Sequence, residues 1–201
     1  MKSADWISKE ADDLWSEYAA IFEKRWGISP KWSEFIGCAG KHAFRAEFIE
    51  HDADAYCTSV ILPIRNAWYS ATVIDARWKW FQTIDLREPI LDYGCGIGFT
   101  AAWLARNGYP QIFGYELLGV QHDIMKDMLT EWDSKPVSTV LCFNVLEHVS
   151  EPLLLLQRLM TIGKRVVANC CMDHDEASHI ASESDLRKCY DIIKKSGDLY
   201  G

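Results

Sequence analysis

Residues 90–100 read Ile90-Leu91-Asp92-Tyr93-Gly94-Cys95-Gly96-Ile97-Gly98-Phe99-Thr100. The stretch opens as a buried strand, turns through three glycines spaced two apart, and runs straight into a helix-forming segment, 99–107. Glycine permits a sharp turn and lets a ligand approach the backbone without meeting a Cβ atom. The helix behind it adds unpaired N–H groups beside that ligand. In an open α/β sheet, ligands bind outside the carboxyl ends of the strands, where this loop lies. The spacing is GxGxG, whereas the dinucleotide fingerprint is GxGxxG, and Phe99 stands where its last glycine would be. Asp92 ends the strand just before the loop, and a carboxylate there suits a cofactor with a cationic end better than a pyrophosphate.

Downstream of this loop, short apolar runs alternate with helical stretches. Strands are predicted at 89–93, 111–115, 137–143 and 165–170, and helices at 99–107, 120–132, 152–160 and 183–195. Such alternation implies βαβ units and a mostly parallel sheet, an α/β fold. Glu116 ends the second strand, 18 residues beyond Gly98. A carboxylate at that place can accept hydrogen bonds from ribose hydroxyls. Leu117 and Leu118 follow it and offer apolar surface for an adenine face.

Upstream of residue 83 the chain holds most of its nine tryptophans and reads as helical. Trp6, Leu14, Trp15, Tyr18, Ile21 and Phe22 form an apolar stripe that Gly27 terminates, and Ser29-Pro30 begins a short successor. Residues 38–58 are ambiguous. A further helix is predicted from Ile64 to Phe81, with Ile64, Ala67, Trp68, Ala71, Ile74, Trp78 and Phe81 on one side. Most of these aromatics are expected to be core, with one or two lining a substrate pocket. The division expected is 1–82, an N-terminal helical lid or substrate region, and 83–201, a cofactor-binding Rossmann-like domain.

Two segments together carry a family resemblance. ILDYGCGIG followed by a strand ending in Glu116 resembles motif I and the ribose acid of class I S-adenosylmethionine-dependent methyltransferases. Asn144-Val145-Leu146-Glu147-His148-Val149, followed by Glu151-Pro152-Leu153-Leu154, is similar to the "NVLEHV-x-x-P-x-x-L-L" stretch of the type 11 and type 12 subfamilies. The match covers about residues 88–197. It implies a Rossmann-like fold that binds S-adenosyl-L-methionine and releases S-adenosyl-L-homocysteine. Asp92, Tyr93, Gly94, Cys95, Gly96 and Gly98 would hold the methionine end, Glu116 and Leu117 the ribose and adenine side, and Phe143 and Asn144 the sulfonium side. Glu147 and His148 are candidate general bases because they follow a strand that points into the pocket.

The sequence departs from that family in two places. Only 20 residues, Leu117 to Pro136, separate Glu116 from Val137, room for one helix and a turn. The family's third strand and its terminal antiparallel hairpin are not found, so a reduced sheet of four parallel strands is expected, in the order second, first, third, fourth of those predicted. Its bare edges suggest a homodimer or a partner subunit. A truncated sequence would look the same.

Composition narrows the field further. The chain has 201 residues, 49% of them apolar, a mean hydropathy of −0.12 and a formal net charge of −8. That acidity disfavours nucleic acid as a partner, since phosphate binding needs clustered Lys and Arg. Seven cysteines without a CxxC spacing point to a reducing, cytoplasmic setting, without a disulfide framework or zinc site. Asp173, His174, Asp175, Glu176 and His179 form a polar cluster that reads as a loop rather than a metal site. No membrane span and no signal peptide is expected. A small-molecule methyl acceptor is the leading reading. The alternatives are a degenerate cofactor-binding subunit without transfer activity and, least favoured, a nicotinamide oxidoreductase.

Overall fold

The computed structural model describes residues 4–27, 74, 76–169 and 180–196. Its centre is a parallel sheet of five strands: β1 (Ile90–Tyr93), β2 (Ile112–Tyr115), β3 (Thr130–Glu131), β4 (Val137–Cys142) and β5 (Gly163–Ala168), in the spatial order β3-β2-β1-β4-β5. Ile90 lies level with Ile112 on one side and Thr139 on the other, so β1 is central. Chain order reverses between β1 and β4. The carboxyl ends of strands at such a reversal are the place where doubly wound sheets bind ligands.

Alternate residues of each strand enter different cores, as the two-residue period of a strand requires. Ile90, Ile112, Leu141 and Val167 pack in one cluster with residues of α1 (Ala4–Trp26), α2 (residues 76–81), α3 (Phe99–Arg106) and α4 (Gly119–Met128). Leu91, Val140, Val166 and Ala168 pack on the opposite face with α5 (Pro152–Ile162) and α6 (Glu183–Ser196). A parallel sheet needs cover on both faces, which is why its central strands carry apolar residues at successive positions.

The apolar stripe read from the sequence is what α1 buries: Leu14, Trp15, Tyr18 and Phe22 are all at most 2% exposed. Ile74, Trp78 and Phe81 join the same cluster, with Trp78 edge-on to Trp103 of α3 at 4.8 Å. The described parts of the N-terminal region therefore share one core with β1. The side chain of Trp6, and Ile64, Ala67, Trp68, Ala71 and the 38–58 stretch, lie outside the described residues, as does the cluster 173–179. No helix among the described residues is long and apolar enough to cross a membrane.

The four-strand expectation is corrected by β3. Instead of running to Trp132, α4 stops at Met128, because Leu129 adopts extended geometry (φ −137°, ψ 158°). Leu129 packs into the first core, against the space beside Gly98, and the chain leaves it already extended for Thr130. Phe113 and Gly114 of β2 then pair with Thr130 and Glu131. What the chain lacks is a helix between β3 and β4. Residues 132–136 make that crossover as a short strap: the Trp132 amide donates to Gly114 O at 3.0 Å, its indole N–H donates to Lys135 O at 2.8 Å, and Ser134 turns with φ 69°. Beside the strap stands an aromatic row, Tyr93 stacked on Tyr115 at 4.9 Å and Tyr115 edge-on to Trp132 at 5.9 Å.

Candidate functional site

Three segments meet at the crevice: the glycine loop after β1, the turn after β2, and the turn after β4. Gly94, Gly96 and Gly98 all take positive φ (68°, 60° and 82°), which explains the glycine triplet by backbone geometry. At two of them the missing Cβ is filled by the protein's own side chains. A Cβ on Gly94 would lie 2.5 Å from Val145 Cγ2, and one on Gly98 would lie 2.6 Å from Leu129 Cδ1. These two glycines thus admit protein neighbours as well as the turn itself, and Gly94 couples motif I to the stretch after β4.

The loop's amides are largely spent inside the protein. Gly94 and Cys95 donate to Tyr115 O at 2.8 and 3.2 Å, Gly98 donates to Cys95 O at 2.9 Å, and Gly96 donates to Glu116 Oε2 at 2.8 Å. A pyrophosphate cradle needs such groups turned toward the ligand. Here three of them fasten the loop to the end of β2 and the fourth closes the loop on itself.

Glu116 is the fastener. Its Oε1 accepts from the amides of Leu117 and Leu118 at 2.8 and 2.9 Å, while Oε2 accepts from Gly96. A carboxylate has about four acceptor positions. Three are in use, leaving one on Oε2 for an incoming hydroxyl. Leu117 is 74% exposed and Leu118 48%, so this end of the crevice presents apolar surface to solvent.

Asp92, on the neighbouring strand β1, is only 4% exposed. Burial pushes its pKa up to about 7, against the pull of the Arg77 guanidinium and with a push from the Glu116 charge. Arg77 is buried too, its Nη1 donating to Thr100 Oγ1 at 2.6 Å and its Cζ lying 5.0 Å from the Phe143 ring centre. One guanidinium therefore links α2, the start of α3 and the end of β4 beside the buried carboxylate. Phe143 itself is buried against Phe81 and Trp80. Cys95, half-buried, has its thiol pKa raised by burial and then by the Asp92 and Glu116 charges, so it stays a neutral thiol. Tyr93 points to the opposite face of the sheet from Asp92, in the aromatic row with Tyr115.

Asn144 follows β4 in a left-handed conformation (φ 54°), which Asn tolerates better than most residues. Its amide donates to Asn169 Oδ1 at 2.7 Å, and Asn169 Nδ2 donates back to Asn144 Oδ1 at 2.7 Å. This pair ties the ends of β4 and β5 together. Glu147 and His148 lie in a single 3₁₀ turn, Leu146–His148. Glu147 is 1% exposed and its carbonyl accepts the amides of Ile180 and Ala181, whereas His148 is exposed. Among the described residues no group of three His, Cys, Asp or Glu is placed to hold a metal.

Arg77 and Asn169 were not singled out in the sequence. Their partners lie 23 and 25 residues away, and neither sits in a motif.

A doubly wound parallel sheet with a glycine turn after its central strand, an acid ending that strand and another ending the next is the architecture of class I methyltransferases. Residues 65–187, more than half of the chain, match the family model described as a methyltransferase domain, and the chain belongs to that family. Among solved structures it is similar to an rRNA methylase from Escherichia coli, at 14% identity over 81% of this chain and 74% of that one, TM-score 0.37. A putative O-methyltransferase from Nostoc punctiforme PCC 73102 is similar at 15% identity over 80% of this chain and 50% of that one, TM-score 0.38. At these scores neither speaks to the acceptor. No curated protein matches the sequence.

Proposed function

We propose that this methyltransferase uses S-adenosyl-L-methionine and transfers its methyl group to a small-molecule acceptor. The observation that carries the cofactor reading is Asp92, a carboxylate held 4% exposed at the end of the central strand beside a glycine loop whose amides are internally bonded. Such a site has little to offer a pyrophosphate, whereas a methionine ammonium would favour the ionised form of the buried carboxylate. The bound sulfonium cofactor would bring an already activated methyl group, so the protein's task is position and exclusion of water.

The chain's own residues fit that task. Asp92 would take the ammonium, with Gly94, Cys95, Gly96 and Gly98 shaping the backbone around it. Glu116 would take one ribose hydroxyl on its remaining acceptor position, with Leu117 against the adenine. Phe143 and Asn144 would border the sulfonium side. Of the two candidate bases, His148 is the one reachable from solvent, and it would receive the acceptor's proton if the acceptor is a hydroxyl. The net charge of −8 supports a small acceptor over RNA.

A second reading has its own support. Among the described residues, Tyr93, Tyr115 and Trp132 stand only half-buried beside the strap, and β5 has no outer neighbour. A partner subunit or second copy on these features would make the chain a cofactor-binding subunit whose transfer activity depends on its partner. Calorimetric titration with S-adenosylmethionine, S-adenosylhomocysteine and NADH tests both. Binding of the first two without NADH supports the cofactor, and methyl transfer by the isolated chain then excludes the dependent subunit. Binding of NADH alone, or of nothing, overturns the cofactor reading.

A further inference from the structure

We infer that Tyr18 of α1 is a positioning residue for the glycine loop, so that docking of α1 and cofactor binding are energetically coupled. The inference rests on the cofactor reading above. Tyr18 is fully buried, and its hydroxyl donates to the carbonyl of Ile97 at 2.9 Å across 79 residues of sequence. Ile97 stands between Gly96 and Gly98, both at positive φ, and is itself 1% exposed. The bond therefore holds the loop at the point where its backbone is most irregular. On the other side the same loop is held by Glu116 through Gly96. The loop is pinned between a strand-end carboxylate and a phenol from α1.

Packing makes the phenol a rigid post. Its ring lies 5.3 Å from Phe99, the first residue of α3, and 6.4 Å from Phe22 on its own helix. At the surface α1 is also tied to the domain by ion pairs, Glu17 with Arg106 and Arg25 with Asp127 at 3.0 Å, which contribute little. Burial of the apolar stripe sets where α1 lies; the Tyr18 hydroxyl converts that placement into loop geometry. A loop held in its binding form for only part of the time binds with an apparent affinity reduced by that fraction. Coupling of this kind is reciprocal: whatever α1 does for the cofactor, the cofactor does for α1.

The test compares wild type with Tyr18→Phe, which keeps the ring and removes only the hydroxyl, and with Glu17→Gln, which breaks the exposed pair and leaves the loop alone. S-adenosylhomocysteine affinity is read by calorimetry, and amide hydrogen exchange of residues 12–27 and 94–98 is read with and without that ligand. The expected result is affinity about three- to tenfold weaker in Tyr18→Phe and unchanged in Glu17→Gln. In wild type the ligand slows exchange in α1, and in Tyr18→Phe that slowing is lost while exchange of the loop quickens. Should Tyr18→Phe fold poorly, ligand-slowed exchange of α1 in wild type still decides: its absence overturns the coupling. Wild-type binding unaltered by Tyr18→Phe, with loop exchange also unaltered, overturns this inference alone. A wild-type chain that does not bind S-adenosylhomocysteine overturns the cofactor reading and this inference with it.

Discussion

The Glu116 carboxylate accepts the Gly96 amide at 2.8 Å, so the acid that the fold assigns to a ribose is already a structural clamp on the glycine loop. The same side chain also caps Leu117 and Leu118. Clamp and ligand share one group: a ribose hydroxyl can use the last acceptor position on Oε2, and a second hydroxyl must displace one of these amides.

Glu116→Ala should therefore cost stability even without ligand. Three amides lose a charged acceptor, in a half-buried setting where water replaces part of it. An unfolding free energy lower by about 1–3 kcal/mol is expected, with cofactor affinity lower by roughly 2–4 kcal/mol. Glu116→Gln keeps one acceptor oxygen and should fall between. Urea unfolding and calorimetry read the two effects separately. An unchanged stability would mean that the clamp is not formed in solution.

Asp92 makes the protein's behaviour depend on pH in a direction opposite to that of a salt-bridged acid. Its pKa rises from 3.8 unfolded to about 7 folded, because burial outweighs the Arg77 charge. The folded state then holds the proton more tightly than the unfolded one, so the contribution to stability is fully present below about pH 4. It is lost as pH rises through about 7, by on the order of 4 kcal/mol at most. Without cofactor, Asp92→Asn should be more stable than wild type at pH 8 and similar at pH 4. A cationic ligand needs the ionised form, so S-adenosylmethionine binding at pH 6, where its amine is already protonated, should release nearly one proton, and at pH 7.5 far less. Titrations in buffers of different ionisation enthalpy count that proton. Equal release at both values would show that Asp92 does not meet the cofactor's cation.

Gly94 tests the seam between the two motifs. Substitution by Ala places a methyl group 2.5 Å from Val145 Cγ2 and forces a non-glycine residue to φ 68°. The left-handed backbone alone costs about 1–2 kcal/mol, and the steric overlap adds to it. Val145→Ala should remove the overlap and leave the backbone cost. A double-mutant cycle by thermal unfolding should show a favourable coupling of about 1 kcal/mol or more between Gly94→Ala and Val145→Ala. Additive effects would mean that the glycine is required for its φ angle only.

How much of this was legible in the sequence follows from the range of each signal. The strand, turn and helix around Asp92 and the acid of Glu116 are local patterns, and the structure has them within a residue or two of their expected bounds. Strand β3 was not legible, because two residues cannot display a period and Thr130 and Glu131 continue a helical pattern. Leu129 decides the matter through contacts in the tertiary core. Arg77 was hidden for a related reason: its partners Thr100 and Phe143 are joined to it only by folding. Of the buried charged pair Asp92 and Arg77, the acid was visible by its position at a strand end and the guanidinium not at all.

The strap at 132–136 is the part of the fold with no counterpart in a helix-covered crossover, and Trp132 is its anchor. Its indole closes the turn on Lys135 O and its ring meets Tyr115 edge-on. The salt bridge between Asp133 and Lys135 is exposed and contributes little. Trp132→Ala should therefore remove both the closing hydrogen bond and most of the cover over Tyr115. A loss of about 2–3 kcal/mol is expected, less than for a fully buried tryptophan because Trp132 is half exposed. Trp132→Phe keeps the edge-on ring and loses the hydrogen bond, so about 1 kcal/mol should separate it from wild type. Trp132 sits at the end of β3, so its loss should also free the amides of β3 to exchange at the rate of a loop. A Trp132→Ala protein as stable as wild type would show that the crossover is not held by this side chain, and an unfolding midpoint that rises with protein concentration would point to a second copy on this face.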